Sequence, residues 1–127
     1  MHLNSEIFLQ EQQQRINMKK FCLALDLKND EKLIAEYESY HQQVWPEILK
    51  SIKDSGIKQM EIYRTGNRLF MIIEASEEFT FEKKSMADAD NSKVQQWEEL
   101  MWKYQQSLPG SKPGEKWVLM KKIFETH

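Results

Sequence analysis

Apolar and polar positions alternate from Lys20 to Leu27, with Phe21, Leu23, Leu25 and Leu27 on one side and the smaller Cys22, Ala24 and Asp26 on the other, which is the two-residue period of a strand. Asn29 or Asp30 then offers a cap for a helix whose apolar stripe reads Leu33, Ile34, Tyr37, Tyr40, His41 and Val44. Pro46 has no amide hydrogen and its ring clashes with a preceding turn, so the helix is expected to break near Gln43 to Trp45 and a fresh one to start at the proline. That second piece, with Ile48, Leu49 and Ile52 on its buried side, runs to about Ser55 and stops at Gly56. Ile57 to Thr65 and Arg68 to Ala75 flank Gly66-Asn67, a two-residue loop in which glycine supplies the positive φ of a tight hairpin, so these two strands are antiparallel neighbours. Phe79 to Met86 reads as a short helix and Lys93 to Gln106 as a longer one. After the loop SLPGSKPGEK, Trp117 to Phe124 reads as a last strand.

The order β-α-β-β-α-β predicts an α+β, ferredoxin-like fold with an antiparallel sheet. Strand LFMIIEA is apolar on both faces, and WVLMKKIF nearly so. Two helical layers cover only one face of such a sheet, and leaving large side chains of the other in water forgoes about 1.5–3 kcal/mol each. A second copy of the same sheet is the simplest cover, which predicts an isologous homodimer packed sheet to sheet.

Composition narrows the partners. At 127 residues the chain is a single domain by length, and Met18 followed by two lysines marks a second plausible start, so residues 1–17 are expected to be an extension or tail and 18–127 the domain. The formal net charge of -2, with lysines and arginines scattered among acids, shows no basic field for nucleic acid or membrane. Cys22 is the single cysteine, which rules out an internal disulfide and a multi-cysteine metal site and suits a reducing cytoplasm. No apolar run reaches the roughly 20 residues of a membrane span, and the polar first segment lacks the apolar centre of a secretory signal.

Three histidines are present; His2 and His127 lie at the chain ends, whereas His41 lies in the apolar stripe one turn after Tyr37, on the same side of the helix. The helix ends just beyond, and a helix C-terminus favours a positively charged imidazolium. From spacing alone, His41 reads first as a core histidine bonded to a backbone carbonyl, and Tyr37, more strongly still, as a core aromatic with its hydroxyl hydrogen-bonded. Trp45, Trp97, Trp102 and Trp117 are most simply core residues; Trp97 also offers a flat face for the C–H side of a sugar, and Glu98 beside it could hold hydroxyls or be one more charge on a solvated helix face. GxSxG, CxxC, HExxH and a glycine-rich phosphate loop are absent, and no acids and histidines are spaced for a metal. Acid–base work by one histidine with polar neighbours, or binding alone, remains.

The segment EYESYHQQVWPEI, from Glu36 to Ile48, resembles the hallmark of the L-rhamnose mutarotase family: tyrosine, histidine four residues later, then Trp-Pro-Glu after a short gap. The resemblance continues through Gly56, Ile62-Tyr63, the apolar strand ending in Glu74 and the VQxW-type helix containing Trp97, and it covers essentially Met18 to Phe124. It implies a dimeric α/β barrel of two ferredoxin-like chains and interconversion of the α and β anomers of L-rhamnose, a 6-deoxyhexose, without a cofactor or metal. It also implies that His41 is the proton donor and that Tyr37 and Trp97 line the sugar pocket. Two positions depart from the family's pattern: Met60 stands where a tyrosine is usual on the second strand, and Glu98 where a second tryptophan often follows the first. Both are expected to face the sugar, so the fold and reaction carry over better than the substrate, and a related sugar such as L-fucose is a live option. Competing expectations are a cofactor-free monooxygenase or haem-degrading protein on the same scaffold, and a non-catalytic ligand-binding dimer in which His41 belongs to the core.

Overall fold

The computed structural model describes residues 5–10 and 17–127. Most of the expected extension over residues 1–17 lies outside the described residues; 5–10 are helical, with Ile7, Phe8 and Leu9 exposed.

The alternating run becomes β1 (Lys19–Leu27), and its period puts Leu23, Leu25 and Leu27 almost wholly out of water. Asp30 caps α1 (Glu31–Gln42), its carboxylate accepting from the Leu33 amide at 3.0 Å. The break falls where the proline requires it, and α2 (Pro46–Asp54) begins on Pro46. Its end is set by Gly56, at φ +97°, where a Cβ would stand 2.8 Å from Ser76 Oγ. Strands β2 (Ile57–Thr65) and β3 (Arg68–Ala75) form the expected hairpin, with Gly66 at φ +57°. Helices α3 (Phe81–Ala89) and α4 (Ser92–Trp102) are capped by Thr80 and Asn91.

The sheet runs β2-β3-β1-β4, every pair antiparallel, with β4 (Gln105–Gln106) and β5 (Val118–Leu119) sharing the outer edge of β1. This is the ferredoxin-like order with its fourth position divided between two short strands. Residues paired in register point the same way, so Leu23 and Leu25 stand with Met71 and Leu69 on the helix side. One buried cluster there unites Leu27, Tyr37, Ile48, Leu69, Val94, Trp97, Met101 and Tyr104. A second gathers Leu23, Ile57, Met71, Ile73, Ala75 and Phe79. On the opposite side Cys22, Ala24, Phe70 and Ile72 are left half-buried, the uncovered apolar face expected from the two-sided pattern of β3. There Arg68 grips the buried Asp26 through two hydrogen bonds of 2.8 and 3.2 Å.

Several expectations need correction: Leu49, expected on the buried side of α2, is 55% exposed, Trp102, expected in the core, is 37% exposed, and two elements have other bounds. The helix read as Lys93 to Gln106 stops at Trp102, because Gln105 and Gln106 pair with Leu27 and Asp26 and the Lys28 amide bonds to the Tyr104 carbonyl at 2.8 Å. Helix propensity gives way to sheet pairing there. The strand read as Trp117 to Phe124 is paired only at Val118–Leu119, followed by a single amide bond from Met120 to Cys22. Beyond it Ile123 and Phe124 are 89% and 78% exposed. Among the described residues no helix is long and apolar enough to cross a membrane.

Candidate active site

The last turn of α1 brings Tyr37 and His41 onto one face, with ring centroids 4.4 Å apart. His41 Nδ1 lies 2.8 Å from the Tyr37 carbonyl oxygen. A carbonyl only accepts, so Nδ1 carries the hydrogen. The remaining nitrogen, Nε2, is then a lone pair in neutral imidazole and an N–H donor in imidazolium. It makes no hydrogen bond within the described residues. The ring is half-buried: fixed by its backbone bond and reachable from outside.

Trp97 comes from the middle of α4 and lies edge-on to the histidine, with ring centroids 5.7 Å apart at 67°. Trp45, just before the proline, meets Trp97 at 5.1 Å, and Tyr40 closes the group at 6.3 Å. The aromatic wall therefore draws on α1, the break after it, and α4. Tyr37, 3% exposed, has its hydroxyl 3.3 Å from the Gln105 amide Nε2, which donates to it. Burial pushes the Tyr37 hydroxyl pKa up, and the hydrogen bond from Gln105 pulls the other way. Tyr104 donates to Glu36 Oε2 at 3.1 Å, and its pKa is pushed up to about 12, first by burial and then by the carboxylate beside it.

That rise has a consequence for stability. A tyrosine whose folded pKa lies above its ordinary 10.0 stabilises the fold in its neutral form, fully so below pH 10, and the contribution is lost as the pH climbs from about 10 through about 12. The urea midpoint should therefore fall across that window, and Tyr104→Phe should flatten the fall. An unchanged slope in the variant would contradict the assignment.

Of the expected site residues, the fold brings Tyr37, His41 and Trp97 together. Met60 is half-buried on the helix side of β2, opposite Ile73, and packs against the neighbouring apolar cluster. Glu98 follows Trp97, half-buried, and makes no hydrogen bond or ion pair within the described residues. Sequence reading missed Gln105, Tyr104 and Glu36. The first two lay at the end of an expected helix, and nothing in their spacing pointed back to α1.

A cleft of about 760 Å³ opens on the adjoining side of α1, lined in part by Glu36, Ser39, Tyr40, Gln43, Trp45 and Tyr104. It shares Tyr40, Trp45 and Tyr104 with the ring cluster, but Tyr37, His41 and Trp97 do not line it. The cleft's ionisable groups are a carboxylate, Glu36, and two phenols, Tyr40 and Tyr104. No group of three or more histidine, cysteine, aspartate or glutamate residues is placed to hold a metal among the described residues.

Residues 20–126 match the model of a protein family described as L-rhamnose mutarotase. An L-fucose mutarotase of Xanthomonas campestris pv. campestris is 43% identical over 111 residues, spanning 86% of this chain and 89% of that protein. A UPF0734 protein of Dictyostelium discoideum is 37% identical over 84% of this chain and 89% of its own length. Among solved structures, an L-rhamnose mutarotase of Formosa agariphila superposes with a TM-score of 0.63 at 22% identity, covering 86% of this chain and 99% of that one, and so shares the fold.

Proposed function

The chain belongs to the L-rhamnose mutarotase family, and on that footing we propose that it interconverts the α and β anomers of a 6-deoxyhexose, L-fucose ahead of L-rhamnose, as a cytoplasmic homodimer needing no cofactor. The enzyme is then a carbohydrate isomerase. The observation that carries the reading is the fixed imidazole: His41, held through Nδ1, presents an unpartnered Nε2 beside the Tyr37 and Trp97 rings.

Mutarotation asks little else of a protein. The anomeric hydroxyl loses its proton and its C–O bond becomes a carbonyl as the bond from the anomeric carbon to the ring oxygen breaks and that oxygen takes up a proton; closure on the other face of the open aldehyde completes the exchange. Imidazolium at His41 gives its Nε2 proton to the ring oxygen and recovers a proton on reclosure. Tyr37 orients a sugar hydroxyl and Trp97 lies against the ring. Glu98 serves as a hydroxyl ligand or proton acceptor. Histidine suits the task because it exchanges protons readily at cellular pH.

The preference for L-fucose rests on Met60 and Glu98, which replace an aromatic hydroxyl and an indole at positions expected to face the sugar, and on the 43% identity to an L-fucose mutarotase. Dimerisation is supported by the uncovered face of Cys22, Ala24, Phe70 and Ile72 and by the exposed Ile123 and Phe124. The test is polarimetry of freshly dissolved L-fucose and L-rhamnose with chelator-treated protein. Faster mutarotation of both, L-fucose leading, is the expected result; loss of catalysis after chelation would overturn the cofactor-free mechanism. Light scattering should give twice the 15.3 kDa chain mass, and a single-chain mass would overturn the dimer.

A further inference from the structure

Gln105 is 7% exposed and stands on β4 opposite Leu27, so its side chain points to the helix side of the sheet, toward α1. The residue before it is pinned from both directions, the Tyr104 amide bonding to the Met101 carbonyl at 2.9 Å and the Lys28 amide to the Tyr104 carbonyl at 2.8 Å. From there Gln105 Nε2 reaches Tyr37 Oη at 3.3 Å. A phenol has one hydrogen to give and lone pairs to receive with. Because the Gln105 amide occupies the receiving side, the Tyr37 hydrogen is left to give, and within the described residues it has no acceptor. Burying a donor without a partner is unfavourable, and the arrangement persists usefully only where something that accepts enters the site.

We infer that Gln105 is a positioning residue for this site: its amide, donating to Tyr37 Oη, turns the phenol's own hydrogen outward as a hydrogen-bond donor to an oxygen of the bound sugar. This rests on the mutarotase reading for the identity of the acceptor, but the direction of the bond stands apart from it. The pair divides the work with His41, whose Nε2 handles the proton that moves, while Tyr37 supplies a hydrogen that stays on its oxygen and holds the sugar. Gln105 touches the sugar only through Tyr37.

The bond's direction is read by titrating Tyr37 through its 13Cζ resonance in the wild type and in Gln105→Met, which keeps the side chain's length. A donor removed from the phenolate raises the Tyr37 pKa further; an acceptor removed from the phenol lowers it. A rise is expected, and a fall or no change overturns the proposal. The other groups close by are His41, Tyr104 and Glu36, unchanged in both proteins. The functional arm uses Gln105→Glu, equal in shape. Its ionised carboxylate can only accept, so it captures the Tyr37 hydrogen and should lower kcat/KM about tenfold, the worth of one hydrogen bond, with recovery as the pH falls and the new carboxyl regains a proton to donate. A variant as active as wild type at every pH overturns the proposal, whereas a wild type inactive on all sugars removes the mutarotase reading and leaves the titration to decide the bond.

Discussion

Replacing His41 with alanine is expected to reduce catalysed anomer exchange by about 10²–10⁴-fold, the usual worth of a positioned acid or base. The expectation follows from what the side chain does in the fold. Nδ1 is spent on the Tyr37 carbonyl, 2.8 Å away, so the substitution removes one hydrogen bond near a helix end and, among the described residues, the only imidazole of the site. The neighbours that remain, Tyr37 and Tyr104, have hydroxyl pKa values raised by burial and are poorer proton carriers near neutrality. The half-buried ring contributes less to the core than Tyr37 or Trp97, and the backbone carbonyl it releases already belongs to a helix. Stability should therefore fall by only about 1 kcal/mol, the net value of one such bond. Polarimetric rates with the urea midpoint measured on the same preparation separate the two effects. Activity within tenfold of wild type in a folded variant would take the acid–base role away from His41.

Trp97→Ala should be the most damaging single change to stability, by about 3–5 kcal/mol, the range seen when large aromatic side chains are removed from a core. Trp97 is 9% exposed, sits in the cluster that joins Leu27 and Leu69 of the sheet to Tyr37 and Ile48 of two helices, and meets the rings of Tyr40, His41 and Trp45. Against the 5–15 kcal/mol that holds a domain of this kind together, the loss is a large share, so the variant should be partly unfolded at 37 °C. Trp97→Phe keeps one ring in place and should fold, with a smaller stability loss and a raised KM. Urea unfolding of both proteins checks the order. A shift below about 1 kcal/mol for Trp97→Ala would mean that the indole is not part of the core.

Much of the architecture was legible because it rests on local rules. The two-residue period of Phe21 to Leu27, the proline at 46, and glycines at 56 and 66 each dictate a backbone event that the fold contains. The same holds for Tyr37 and His41, since residues four apart on a helix share a face, and Trp97 stood out for its flat face and for the family resemblance. What could not be read depended on contacts between distant segments. Gln105 and Gln106 have no strand signature and become β4 only because the end of β1 offers them partners. The tail after Leu119 carries apolar Met120, Ile123 and Phe124, yet apolar residues state that a face needs covering and are silent on which chain covers it. Met60 and Glu98 lie on the expected strand and helix, but which cluster each joins is a matter of packing that spacing alone does not fix.

The most direct test of the account is saturation transfer by NMR on L-fucose at neutral pH and at anomeric equilibrium, where net conversion is nil and only exchange is seen. Saturating one anomeric proton should drain intensity from the other in proportion to the amount of wild-type protein added, with L-rhamnose responding more weakly. Folded protein that transfers no saturation between the anomers of either sugar would contradict the claim that this chain is a mutarotase.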